Sequence, residues 1–162
     1  MKKIIKNKAI IILFFIVTSC LNAESSLTKR FIMHKDAFQT LQKYIDKNYV
    51  NNENFASYAR ITFLVDKHKS QLFKGSTMVY DTVVSKGMVD LELGSISVEK
   101  TGCDSTRNFD EIDFDLVDLV NNRIWYYYYD YCDSVSTKIF ESVHYKTIPI
   151  RKNWFLVEDK GN

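Results

Sequence analysis

Three rhythms of apolar and polar residues divide the 162-residue chain. The first is an unbroken run, Ala9 to Val17 (AIIILFFIV), that follows Lys2, Lys3, Lys6 and Lys8. Nine apolar residues are too few to cross about 30 Å of hydrocarbon, which takes roughly 20, so the basic-then-apolar order reads as a signal segment. The second rhythm is helical. Ala37, Phe38, Leu41, Tyr44 and Ile45 share one stripe while Lys35, Gln39, Gln42, Lys43 and Asp46 fall elsewhere, which predicts an amphipathic helix over about 31–49. Asn48, Asn51, Asn52 and Asn54 end it, and a short helical turn is expected at about 55–58. From Arg60 the period becomes two. Strands are expected over 60–65, 77–84, 88–93, 95–98, 112–116, 123–132, 138–150 and 154–157, with Lys67 to Ser70, Gly75, Ser85-Lys86-Gly87, Gly94, Asn121-Asn122 and Lys152-Asn153 as punctuation. The connections are short, which implies antiparallel hairpins, and Pro149 marks an edge or a bulge.

A helix followed by a run of strands predicts an α+β domain in which an N-terminal amphipathic helix packs on a curved antiparallel sheet of about six or seven strands. The order of elements resembles the cystatin and NTF2-like architectures, a resemblance of element order that implies no activity. A small β-barrel or sandwich with a helical cap is the alternative.

Composition adds an address. The apolar run ends in Val17-Thr18-Ser19-Cys20, which resembles the lipobox of bacterial lipoproteins. That resemblance implies cleavage before Cys20, a diacylglycerol on its sulfur, and, with Leu21 rather than Asp next, retention at the outer membrane facing the periplasm. The chain then divides into a signal peptide (1–19), a lipidated tether (20–29) and a single domain (30–162). Cleavage after Leu21-Asn22-Ala23 is the alternative, and it would release a secreted or periplasmic protein without Cys20. Removing the signal changes the formal charge. The whole chain carries +2, whereas loss of four lysines leaves 18 basic against 20 acidic side chains, a balance with no electrostatic footprint for nucleic acid. Cys103 and Cys132 remain as a pair in a compartment where disulfides persist. Bonding them closes a loop of about 29 residues, worth roughly 3 to 4 kcal/mol in the chain-entropy account; two buried free thiols are the alternative. Neither a Cys-x-x-Cys nor a His-x-x-x-His spacing occurs, and five glycines leave little material for a phosphate or dinucleotide loop, so no metal or cofactor is expected.

The stretch Ile124-Trp125-Tyr126-Tyr127-Tyr128-Tyr129-Asp130-Tyr131-Cys132 holds the candidate chemistry. Alternation puts Trp125, Tyr127, Tyr129 and Tyr131 on one side of the sheet and Ile124, Tyr126, Tyr128 and Cys132 on the other. One side can pack beneath the helix. The Trp125, Tyr127, Tyr129, Tyr131 ladder is expected to bind a protein or glycan, since these rings pair apolar area with a polar tip; the alternative is that both sides are covered. Asp113 and Asp115 share a strand face about 7 Å apart, a separation compatible with a glycosidase pair but common to any i, i+2 acids on a strand, so a solvated face is expected. His34, His68 and His144 stand isolated. The expectation is therefore a non-enzymatic, lipid-anchored binding protein, of a size that suits an inhibitor or immunity-type role, recognising an envelope protein or cell-wall ligand. A structural accessory of an envelope assembly is the alternative, and a hydrolase built from Asp113, Asp115 and His144 comes third.

Overall fold

A computed structural model describes residues 23–65, 76–102, 106–116, 123–133 and 140–161. The chain forms two compact units, Met1–Met33 and His34–Asn162. Cys20, His68, Cys103 and Asn121-Asn122 lie outside the described residues. Among the described residues no helix is long and apolar enough to cross a membrane.

In the first unit residues 23–33 form helix α1. Ala23, Leu27 and Phe31 recur at i, i+4 and i+8 as a buried stripe, and Ser25, Ser26, Lys29, Ile32 and Met33 form the exposed side. Residues 23–29, expected as part of a tether, form the first turns of this helix. Their Ser and Lys content does not oppose a helix whose apolar positions sit four apart.

The second unit is α+β. Helix α2 (Lys35–Ile45) carries the expected stripe, with Phe38, Leu41 and Ile45 buried, although Ala37 is exposed and Gln42 is buried in its place. A π turn (Asp46–Val50) and a 3₁₀ turn (Glu53–Phe55) follow where the asparagines break the pattern. The strands among the described residues are β1 (Arg60–Phe63), β2 (Ser76–Val79), β3 (Leu93–Glu99), β4 (Glu111–Leu116), β5 (Ile124–Asp130), β6 (Phe140–Glu141), β7 (Tyr145–Arg151) and β8 (Trp154–Asp159). They make a single sheet in the order β2-β1-β3-β4-β5-β8-β7-β6, open at both edges, which sets the barrel and sandwich alternatives aside. All pairs are antiparallel except β1 and β2, which run parallel and so are not a hairpin. Asn153, at φ 64°, supplies the left-handed residue of the β7–β8 turn, and the register slips between Pro149 and Arg151 as a bulge.

Residues 82–90, expected to divide between two strands, form helix α3 (Thr82–Asp90). Val83 and Val84 favour a strand taken alone, but Asp81 caps the helix and Val84, Met88 and Leu91 recur at i, i+4 and i+7, all buried. The described part of the 138–150 stretch, residues 140–150, likewise divides between two strands, with His144 exposed in the bend between them rather than in a strand.

Helix α2 lies against one side of the sheet. Phe38 meets Phe114 at 5.8 Å, Tyr127 at 5.0 Å and Trp154 at 6.0 Å between ring centroids, each near edge-to-face. Tyr49 of the π turn meets Phe63 at 4.8 Å in the same way. The inward residues of β1, β3, β4 and β5 on that side, Ile61, Phe63, Ile96, Val98, Ile112, Phe114 and Tyr127, are fully buried and form the core.

Candidate functional site

Strand β5 is central, and its two sides have separate fates. Phe114 opposes Tyr127 and Ile112 opposes Tyr129, so the odd-numbered aromatics lie on the side that α2 covers. Trp125 is 4% exposed and Tyr127 not at all. The proposed ligand-binding ladder of Trp125, Tyr127, Tyr129 and Tyr131 is thus corrected at its first two members: both are buried in the core, and Phe38 of α2 packs edge-on against Tyr127. Tyr129 and Tyr131 are half-buried and meet edge-to-face at 4.8 Å. Gln42 donates to the Tyr131 hydroxyl at 3.2 Å, and the Arg107 guanidinium sits 4.6 Å from the Tyr131 ring while reaching Asp46 at 3.4 Å. Those contacts fasten the end of α2 to the end of β5.

The other side of the sheet is the one that α2 does not cover. Register aligns Asp113 with Tyr128 and Asp115 with Tyr126 across β4 and β5, and aligns Asp113 with Ser97 and Asp115 with Ser95 across β3 and β4. Thr62 opposes Ser97, with their hydroxyls 3.4 Å apart, and Arg60 pairs with Glu99. This side is therefore a strip of hydroxyls and carboxyls, Ser97 buried and the others half-buried, that runs into two tyrosines and then ends against Phe155, a fully buried ring 6.1 Å from that of Tyr128. Glu111, Asp113, Asp115, Tyr126 and Tyr128 are all half-buried.

Half-burial changes the acids. Loss of water around Asp113, followed by the charges of Glu99, Asp115 and Glu111 and opposed by Arg60, pushes its carboxyl up to about 8. Burial also raises Glu111, against hydrogen bonds from Tyr128 and Thr101 that favour its charge. Burial raises Tyr126 and Tyr128 as well, so both phenols keep their protons throughout the physiological range. Asp115 accepts a hydrogen bond from Ser95 Oγ. At neutral pH the strip thus offers a protonated carboxyl, two phenols and several hydroxyls, which suits hydrogen bonding in both directions.

The structure does not bring His144 to this strip. It lies at the start of β7, three strand spacings from β4, about 14 Å away, beyond proton-transfer reach of Asp113 or Asp115. Among the described residues no group of three His, Cys, Asp or Glu side chains is placed to hold a metal ion. Cys132 is disulfide-bonded, and its expected partner Cys103 lies outside the described residues. Tyr126 and Tyr128 were legible as the second side of the aromatic strand; which side α2 would cover was not, because both carry aromatics.

Elsewhere, a concavity of about 720 Å³ opens between α2 and α3 and is lined by Ala37, Leu41, Tyr44, Val83, Lys86 and Asp90 among others. Gly87 lets the two helices approach: a Cβ there would stand 3.1 Å from both methyls of Leu41. Against known protein families, curated proteins and solved structures, the chain finds no match.

Proposed function

We propose that the protein is a lipid-anchored component of the cell envelope that binds a hydroxyl-rich cell-wall glycan on the side of its sheet that α2 leaves uncovered, and that it acts by binding rather than by catalysis. The observation that carries this reading is the placement of Tyr126 and Tyr128 next to Asp113, with Ser95, Ser97 and Thr62 beyond. Tyrosine rings give a sugar an apolar platform, and a neutral carboxyl with neighbouring hydroxyls can donate to and accept from its hydroxyls without the cost of desolvating a charge. The address rests on the likeness of Val17-Thr18-Ser19-Cys20 to a lipobox.

Sedimentation with purified peptidoglycan sacculi tests it. The wild-type protein should pellet with the sacculi, and a Tyr126→Ala, Tyr128→Ala pair should bind at least tenfold more weakly, about 1 kcal/mol for each ring. Binding should also fade above about pH 8, as Asp113 loses the proton it donates. Wild-type protein that stays in the supernatant would overturn the glycan reading and leave a protein partner of the inhibitor or immunity type as the ligand.

Asp113 supports a second reading. It is held protonated while Asp115, two residues along the same strand face, accepts from Ser95, and a pair of acids in unlike environments is the arrangement of a glycoside-cleaving acid and base. Release of soluble sugar from sacculi by the wild type, abolished by Asp113→Asn, would replace the binding reading with this one.

A further inference from the structure

The exposed side of α1 holds two large apolar residues side by side, Ile32 at 57% and Met33 at 65% exposure, with Lys29 one turn before them. On a helical wheel Ser25, Lys29, Ile32 and Met33 fall opposite the buried stripe of Ala23, Leu27 and Phe31. Apolar side chains on the wet side of a helix next to lysine are what an interface between water and lipid accepts: the apolar tips enter and the ammonium stays among the headgroups.

Charge along the chain points the same way. Cleavage before Cys20 leaves three basic residues, Lys29, Arg30 and Lys35, and one acid, Glu24, from Cys20 to Lys35; from Asp36 to Asn162 there are fifteen basic residues and nineteen acids. The start of the mature chain is thus its basic end, and α1 begins three residues after Cys20. A lipid on Cys20 would bring the helix to the bilayer surface.

We propose that the Ser25, Lys29, Ile32, Met33 side of α1 docks on an anionic phospholipid surface, with Ile32 and Met33 inserted at the level of the headgroups. This rests on the envelope address proposed above for its biological setting, though not on lipidation of Cys20 itself. Such docking fixes the start of the domain at the bilayer rather than leaving it on a loose leash.

The test uses the full chain, purified from membranes, as wild type and as Ile32→Trp and Ile32→Trp, Lys29→Glu variants, with helix content compared by circular dichroism. Each is reconstituted into vesicles of phosphatidylethanolamine with phosphatidylglycerol, with or without brominated acyl chains. Fluorescence in excess of wild type reports position 32, and the mass of the N-terminal peptide reports the lipid on Cys20. Docking predicts that the added tryptophan shifts to the blue and is quenched by the bromines. It also predicts that Lys29→Glu weakens the quenched state several-fold, on the order of tenfold for reversing one charge at an anionic surface. Vesicle-bound protein whose residue 32 is unquenched overturns the docking and leaves the anchor standing, freeing Ile32 and Met33 for a protein partner. Quenching without a lipid-modified Cys20 sustains the docking and overturns the lipid anchor. Protein that does not float with vesicles overturns both.

Discussion

A carboxyl that keeps its proton in the folded state couples stability to pH with a definite sign. Asp113 is raised from 3.8 to about 8 by burial and by Glu99, Asp115 and Glu111. The folded protein therefore holds a proton that the unfolded chain gives up, and the resulting stability is fully present below about pH 4 and lost as pH rises through about 8. Asp81 has the opposite sign. Burial works against its charge, but hydrogen bonds from Tyr49, Val84, Tyr44 and Val83 prevail and lower its pKa, so its contribution is present above 3.8 and lost in acid. Asp113→Asn keeps the shape of the neutral acid and removes its titration. The variant is expected to match the wild type at about pH 3 to 3.5 and to exceed it by a margin that grows between about pH 4 and 8, reaching no less than about 1 to 3 kcal/mol at pH 9, read from urea midpoints across that range. Parallel profiles for the two proteins would refute the assignment. The outward direction of Asp113 was legible from the alternation of Ile112, Asp113, Phe114 and Asp115. Its neutrality was not, because Glu99 comes from β3 and no local pattern tells which β3 residue lies near it.

Elements were legible where one period dominated. The stripe of Phe38, Leu41 and Ile45 announced α2, and the strict alternation in 112–116 announced β4. Helix α3 was hidden because its β-branched Thr82, Val83 and Val84 speak for a strand when read one by one, whereas the deciding signals are a cap and a spacing. Asp81 carries more than the cap. Its Oδ1 accepts from the Val83 and Val84 amides at 2.8 and 3.0 Å, and its Oδ2 from the hydroxyls of Tyr44 and Tyr49 at 3.0 and 2.6 Å. One carboxylate therefore starts α3 and ties it to α2 and to the π turn. Asp81→Ala loses the cap and leaves two phenols without their acceptor, and is expected to destabilise the fold by about 2 to 3 kcal/mol. Asp81→Asn, which retains a capping oxygen, should cost less than half as much. Equal losses in thermal unfolding would show that the cap contributes little and that the negative charge is what matters.

For the molecule as a whole, the three cysteines connect the fold to the envelope address proposed above. Two buried aspartates gather the chain around Cys132. Asp130 Oδ1 accepts from the Cys132 amide at 2.8 Å. Asp110 accepts from the Thr101 amide at 2.6 Å and the Gly102 amide at 2.8 Å, while its carbonyl accepts from the Tyr131 amide at 3.1 Å. Gly102 and Tyr131, the residues just before Cys103 and Cys132, are thus both held by Asp110. Cys132 is disulfide-bonded, and the chain offers it Cys103 or Cys20. The hydrogen bonds around Asp110 favour Cys103, which leaves Cys20 free to take a lipid; a bond to Cys20 would leave no thiol there to modify. Peptide mapping without reduction should recover Cys103 joined to Cys132. Reduction should then lower stability by about 3 kcal/mol, or roughly 10 °C in the unfolding midpoint of a domain this size. A Cys20–Cys132 peptide would refute the lipid anchor by direct chemistry. An unchanged midpoint on reduction would instead show that Asp110 and Asp130 hold the two loops together without the covalent link.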